Sequence, residues 1–243
     1  MDDLEELIAK TMEATQRLQE QQTRKHTPVQ KTELMQKALT VEGAVAKFRY
    51  IPERFRSVVT AMLADGVPPA IAELTPALDQ AGASVPFLTL VGKSGAGKTS
   101  TALALPVARY VLAYSRTWIA VKSLLSEGSP TNRTTNESVD PRVFAWRFVH
   151  ADDLCTCRRT SKLGDEPREL TQAMAWSPLI IDDVIGQKDQ DGDLYRVLRH
   201  REENGYSTII TSGLPYAGIE QAYGPQFARR MFSGVTKLIE RKP

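Results

Sequence analysis

The sequence predicts an α/β fold of three layers, with helices on both faces of a mainly parallel sheet, on the strength of three observations. Short apolar runs alternate with helical patterns over most of the chain. One run, Val85 to Val91, leads straight into Gly92-Lys-Ser-Gly-Ala-Gly-Lys-Thr-Ser100, which contains the G-x-x-x-x-G-K-T pattern of a P-loop. Another, Pro178-Leu-Ile-Ile-Asp-Asp-Val184, is a buried strand that ends in two carboxylates.

At 243 residues the chain accommodates one such domain and a small appendage. Its 42% hydrophobic and 25% charged residues are ordinary for a globular protein, and a net charge of +2 gives no argument for nucleic-acid binding from charge alone. No apolar run reaches the roughly twenty residues of a membrane span. Met1-Asp-Asp-Leu-Glu-Glu6 is the opposite of a basic signal-peptide start, so a cytoplasmic protein without membrane association is expected. The two cysteines, Cys155 and Cys157, are too close for an ordinary structural disulfide and lack further zinc ligands, which predicts reduced thiols on a helix. His26, His150 and His200 are scattered, and lone histidines are read as ordinary residues.

The first element is an amphipathic helix from Asp2 to about Gln22, with Leu4, Leu7, Ile8, Met12 and Leu18 on one face. A polar linker containing Pro28 separates it from a second helical pattern through Leu34, Met35, Ala38, Leu39, Val45 and Phe48. Residues 1–47 are therefore expected to form a helical module that either packs on the core or docks a partner, followed by the nucleotide domain at 48–243. Arg49-Tyr-Ile-Pro-Glu-Arg-Phe-Arg56 leads into a helix through Met62, a turn at Asp65-Gly-Val-Pro-Pro69 and a helix from Ala70 to Gln80. After the P-loop comes a helix, Thr101 to Tyr114, that Pro106 is expected to kink. The Ser-, Thr- and Asn-rich stretch from Leu125 to Asp140 reads as a surface insertion. A strand at Phe144 to Ala151, helices near Asp152 to Arg159 and Pro167 to Trp176, the two-acid strand, a helix at Asp193 to Asn204, and strands at Tyr206 to Thr211 and Val235 to Glu240 complete the pattern.

The chemistry follows from the P-loop. Gly92, Gly95 and Gly97 let the backbone wrap so that the N–H groups of Gly92, Lys93, Ser94, Gly95, Ala96, Gly97, Lys98, Thr99 and Ser100 form a nest for phosphate, at a helix N-terminus. The Lys98 amine reaches the outer phosphates of ATP, and the Thr99 hydroxyl is placed to ligate Mg²⁺. In a parallel sheet, functional groups collect at the carboxyl ends of strands. Asp182 is accordingly the expected metal ligand and Asp183 the group that orients or deprotonates water. Asp183 is one methylene shorter than the usual Glu, which predicts slow hydrolysis. Ser207-Thr-Ile-Ile-Thr-Ser-Gly213 should lie beside the two-acid strand, and Phe227-Ala-Arg-Arg-Met-Phe232 places two arginines on a short helix.

These residues together resemble the DnaC/IstB branch of AAA+ ATPases. Ile51-Pro-Glu-Arg-Phe-Arg56 is similar to a motif that the family carries upstream of its P-loop, and the acid pair, the segment Leu194 to Ser212 and Arg229-Arg230 follow in the family's order. The resemblance, which runs from about Arg49 to the C-terminus, implies an ATP- and Mg²⁺-dependent ATPase that assembles with copies of itself on ATP or DNA. It implies that Arg230 is an arginine finger reaching the neighbouring subunit, with Arg229 and Arg201 as rivals. The N-terminal module would grip a replicative helicase in a helicase loader, with single-stranded DNA, or a transposase in a transposition helper. Gly213 stands where the family usually has a sensor Asn, and a chain ending at Pro243 leaves no helical lid to expect. A small-molecule kinase fits less well, for want of an Arg-rich lid beside the paired acids. A nucleotide-binding scaffold with little turnover is the remaining alternative.

Overall fold

A computed structural model of the chain describes residues 41–80, 87–126, 146–161, 165–189 and 191–240. Four helices precede the sheet: α1 (Val41–Lys47), α2 (Glu53–Leu63), α3 (Pro69–Ala72) and α4 (Thr75–Gln80). Then follow β1 (Phe87–Val91), α5 (Lys98–Ser126), β2 (Arg147–His150), α6 (Ala151–Thr160), α7 (Arg168–Ala175), β3 (Leu179–Val184), α8 (Asp193–Glu203), β4 (Thr208–Ser212), α9 (Tyr216–Tyr223), α10 (Pro225–Met231) and β5 (Val235–Leu238). The strand order is β2-β3-β4-β1-β5, and every neighbouring pair is parallel.

Period-two alternation divides the strand residues between two apolar layers. Leu88, Leu90, Ile180 and Ile209 face one layer, built on Phe48, Ile51 and Val59 and on the α5 stretch from Ala102 to Tyr110. Phe87, Leu179, Ile181 and Ile210 face the other, with Leu154, Leu170, Val197, Ile219 and Met231 from the helices that follow β2. The central strands are buried throughout except at Asp183 of β3, as a parallel sheet covered on both faces requires.

Local chemistry sets the helix boundaries. In α6, Asp152 and Asp153 occupy the first turn and Arg158 and Arg159 the last, each charge matched to the helix dipole. The Asp189 carboxylate caps α8, accepting the backbone N–H groups of Leu194 at 3.2 Å and Tyr195 at 3.1 Å. The helix after the P-loop starts at Lys98 and runs through Pro106 to Ser126, longer than the sequence suggests. The helix expected over Ala70 to Gln80 is two short ones, and α9 was not anticipated.

Of the N-terminal module, residues 1–40 lie outside the described residues. The described part, α1, packs on the core: Ala44 and Val45 are buried in the same layer as Leu103 and Leu105, and the Lys47 amine donates to the Tyr110 hydroxyl at 3.0 Å. Most of the polar insertion from Leu125 to Asp140, from residue 127 on, also lies outside the described residues. Cys155 and Cys157 are free thiols buried on α6, and burial pushes the Cys155 thiol up to about 12. No helix among the described residues is long and apolar enough to cross a membrane.

Candidate nucleotide site

The P-loop leaves the carboxyl end of β1 and enters α5. Gly95 and Gly97 take φ values of +76° and +90°, the left-handed region that a side chain disfavours. Gly92 is required for a different reason, since a Cβ there would stand 2.3 Å from the Ile239 carbonyl oxygen, where the chain continues past β5. The Lys98 side chain is buried, and its amine donates to the Lys93 carbonyl at 3.0 Å, so the charge sits over the loop. The helix begins at this residue, with Thr101 N–H donating to Gly97 O at 2.8 Å.

Across the loop, β3 and β4 pair regularly as far as Ile181 opposite Ile210 and resume at Val184 opposite Ser212. In between, two residues of β3, Asp182 and Asp183, face a single residue of β4, Thr211. This is a β-bulge, a device that re-aims side chains and is frequent beside active sites. Asp182 stays inside, with its side chain only 5% exposed. Asp183 takes φ +63°, a conformation uncommon outside glycine though tolerated by Asp, and is exposed at the end of the strand. Its backbone is held from both sides: the N–H donates to Thr211 Oγ1 at 2.9 Å, and the carbonyl accepts the Gln187 side-chain amide at 2.5 Å.

The Asp182 carboxylate has three partners. Oδ1 accepts the Thr99 hydroxyl at 2.9 Å and the Thr211 hydroxyl at 2.6 Å. Oδ2 lies 3.5 Å from Nδ1 of His150, the last residue of β2 and the register partner of Asp182. None of these three is a lysine or arginine: among the described residues, this buried carboxylate beside the P-loop is met by two hydroxyls and an imidazole. Two hard oxygen donors at that spacing, one of them a carboxylate, fit Mg²⁺, which is usually bound through one or two carboxylates together with substrate phosphates. No group of three or more His, Cys, Asp or Glu among the described residues could hold a metal by itself.

The structure therefore brings Lys98, Thr99, Asp182 and Asp183 together at one edge of the sheet. Arg230 is elsewhere in its own subunit: it pairs with Glu202, its guanidinium lies over the Tyr195 ring at 5.3 Å, and its side chain is 12% exposed. Its neighbour Arg229 is exposed. Arg201 is wholly buried, which removes it as a rival for a role at a neighbouring subunit. Burial lowers its guanidinium to about 9, so it remains charged at neutral pH. It donates to Thr208 Oγ1 at 2.8 Å, Ala173 O at 2.7 Å, Ser207 O at 2.9 Å and Trp176 O, tying the end of α7 to the start of β4. Gly213 sits where an added Cβ would press on the Ile185 side chain at 3.2 Å.

Sequence reading missed two residues, Thr211 and His150. His150 ends β2 and Thr211 is the next-to-last residue of β4, both at the carboxyl edge beside Asp182, and that position is the signal that would have found them.

Comparison with solved structures places this architecture. The DnaC helicase loader matches with a TM-score of 0.50 and 18% identity, over 79% of this chain and 100% of that one. The fold is that of AAA+ P-loop proteins. A protein of Streptococcus pyogenes serotype M3 described as a primosome component matches with a TM-score of 0.50 and 16% identity, over 82% of this chain and 95% of that one. AMPPCP-bound DnaA from Aquifex aeolicus matches at a TM-score of 0.45 and 15% identity, and the chain spans 44% of its length. No protein-family profile matches the chain. No curated protein matches it either.

Proposed function

We propose that this AAA+ chain binds and hydrolyses ATP and works in DNA replication as a helicase loader. The observation that carries the ATPase reading is the link from Thr99 at the P-loop to Asp182 on β3, with Asp183 exposed beside it. The loop amides and the Lys98 amine bind the phosphates. Thr99 and Asp182 hold Mg²⁺, which supplies positive charge to the phosphate oxygens. Asp183 orients the attacking water and accepts its proton. An arginine of the Arg229–Arg230 pair reaches the nucleotide of a second copy, and Arg229 is the one already exposed. The N-terminal residues 1–40 dock the client, and DNA binds the assembled protein.

The loader reading is supported by the shared fold with the DnaC helicase loader, together with the upstream Ile51–Arg56 motif. Titration with a fluorescent ATP analogue tests the site: wild-type protein binds it, and Lys98→Ala loses most of that affinity. Equal binding by the two proteins refutes the site. Capture of a purified replicative helicase by the full chain, abolished by deletion of residues 1–40, tests the loader role. Capture of a transposase instead would make the protein a transposition helper.

A further inference from the structure

The Ile51–Arg56 motif has no task in the chemistry described so far, yet α2 delivers one of its residues to the edge of the metal-binding carboxylate. The Arg54 guanidinium lies 3.3 Å from Nε2 of His150, and the opposite ring nitrogen, Nδ1, lies 3.5 Å from Asp182 Oδ2. Both groups are held in place by aromatic neighbours. The guanidinium lies over the Phe55 ring at 4.9 Å, and the imidazole meets the Phe148 ring edge to face at 4.9 Å.

A guanidinium has only N–H donors. Nε2 of His150 must therefore be the acceptor, and the proton of the neutral ring must sit on Nδ1, the nitrogen that faces Asp182. We propose that Arg54 and His150 are positioning residues for Asp182: Arg54 sets the imidazole tautomer, and His150 presents its Nδ1–H to Oδ2 while Thr99 and Thr211 hold Oδ1. The upstream motif thereby acts on the metal ligand through one imidazole. Groups that orient a metal-binding side chain in this way are typically worth about 10- to 100-fold in metal affinity or activity. The proposal rests on the reading of Asp182 as a Mg²⁺ ligand; Arg54 itself is exposed, and the helix that carries it is anchored by Val59 and Leu63, buried in the same layer as the α5 stretch from Ala102 to Tyr110.

Nitrogen-15 NMR of the full-length protein tests the tautomer without metal or nucleotide, with the His150 signals assigned by their loss in His150→Gln. Nδ1 should be protonated and Nε2 bare in wild-type protein, and likewise in Arg54→Lys, because an ammonium also only donates. Arg54→Ala should shift the ring towards the Nε2–H form. A protonated Nε2 in wild-type protein, or no change in Arg54→Ala, overturns the proposal.

The second measurement is the Mg²⁺ concentration needed to raise the affinity for a fluorescent ADP analogue. It should rise about 10-fold or more in His150→Ala and Arg54→Ala, with affinity in EDTA unchanged and Arg54→Lys near wild type. An unaltered Mg²⁺ requirement in both alanine variants sinks the positioning role even if wild-type protein responds to Mg²⁺. Wild-type protein that is indifferent to Mg²⁺ sinks the metal-site reading instead.

Discussion

The Thr211 hydroxyl donates to Oδ1 of Asp182 at 2.6 Å and, with the same oxygen, accepts the N–H of Asp183 at 2.9 Å. One residue of β4 thus governs both acids of β3, and the bulge that sets two residues against one makes this possible. Asp182 is turned inward towards Thr99, and Asp183 is left facing out from the strand end. Gly213, two residues on, contributes no side-chain hydrogen-bonding group of its own. The tie between β4 and the acids is made one turn of the pleat earlier, by Thr211.

Thr211→Val removes the hydroxyl while keeping shape and β-propensity at a buried strand position. Hydrogen bonds to ionised groups are worth about 1.5–3 kcal/mol, and each 1.36 kcal/mol is tenfold in rate, so ATP turnover should fall roughly 10- to 100-fold. Thr211→Ser should stay within a few-fold of wild type. Steady-state ATPase measurements on both variants check this, and equal rates for Val and Ser would show that the hydroxyl only fills space.

Asp183→Asn should retain ATP and lose hydrolysis. The substitution leaves Asp182, Thr99 and the loop untouched, and Asn accepts the same left-handed backbone. General-base contributions run to about 10²–10⁴ in rate. Single-turnover assays, with nucleotide affinity measured in parallel, separate the two effects, and a variant hydrolysing at the wild-type rate would leave Asp183 with a structural role.

The P-loop, the two-acid strand and the order of elements were legible because each is a local pattern with one physical reading: an apolar run, a glycine-rich turn, a helix start. Asp182 and Asp183 were equally visible, but their division of labour was not. It depends on a bulge whose partner lies on another strand, and nothing in Leu179–Val184 announces an extra residue in its pairing. His150 was read as ordinary for the same reason: its position opposite Asp182 comes from the register of β2 with β3. The role of Gly92 also depended on non-local structure, because the group that forbids a side chain there is the carbonyl of Ile239.

Arg201 belongs to the fold, so its loss should be felt as instability. Its guanidinium satisfies the carbonyls of Ala173, Trp176 and Ser207 from a fully buried position. Arg201→Ala takes this donor away from the carbonyls and opens a cavity, which should cost about 3 kcal/mol or more. Arg201→Lys should recover only part of this, since one ammonium cannot reproduce the planar fork. Urea unfolding of the three proteins checks the order wild type, Lys, Ala. Full stability of the alanine variant would mean that water replaces the guanidinium.

The last prediction concerns which arginine acts across subunits. Arg230 can reach a neighbour only by leaving Glu202 and the face of Tyr195, whereas Arg229 is already exposed on the same short helix. An arginine finger is worth about 10³–10⁵ in rate, so turnover per subunit should climb with protein concentration or added DNA as shared sites form. Arg229→Ala should flatten that climb with ATP affinity intact and thermal stability unchanged. Arg230→Ala should instead lower the melting temperature and keep the concentration dependence. Mixing Arg229→Ala with Asp183→Asn should restore part of the turnover, because one of the mixed interfaces joins an intact Asp183 to an intact Arg229. If Arg230→Ala flattens the climb and leaves stability unchanged, the Glu202 pair opens on assembly and Arg230 is the finger. If every variant turns over ATP independently of concentration and DNA, the site is complete within one subunit, and neither arginine serves a neighbour.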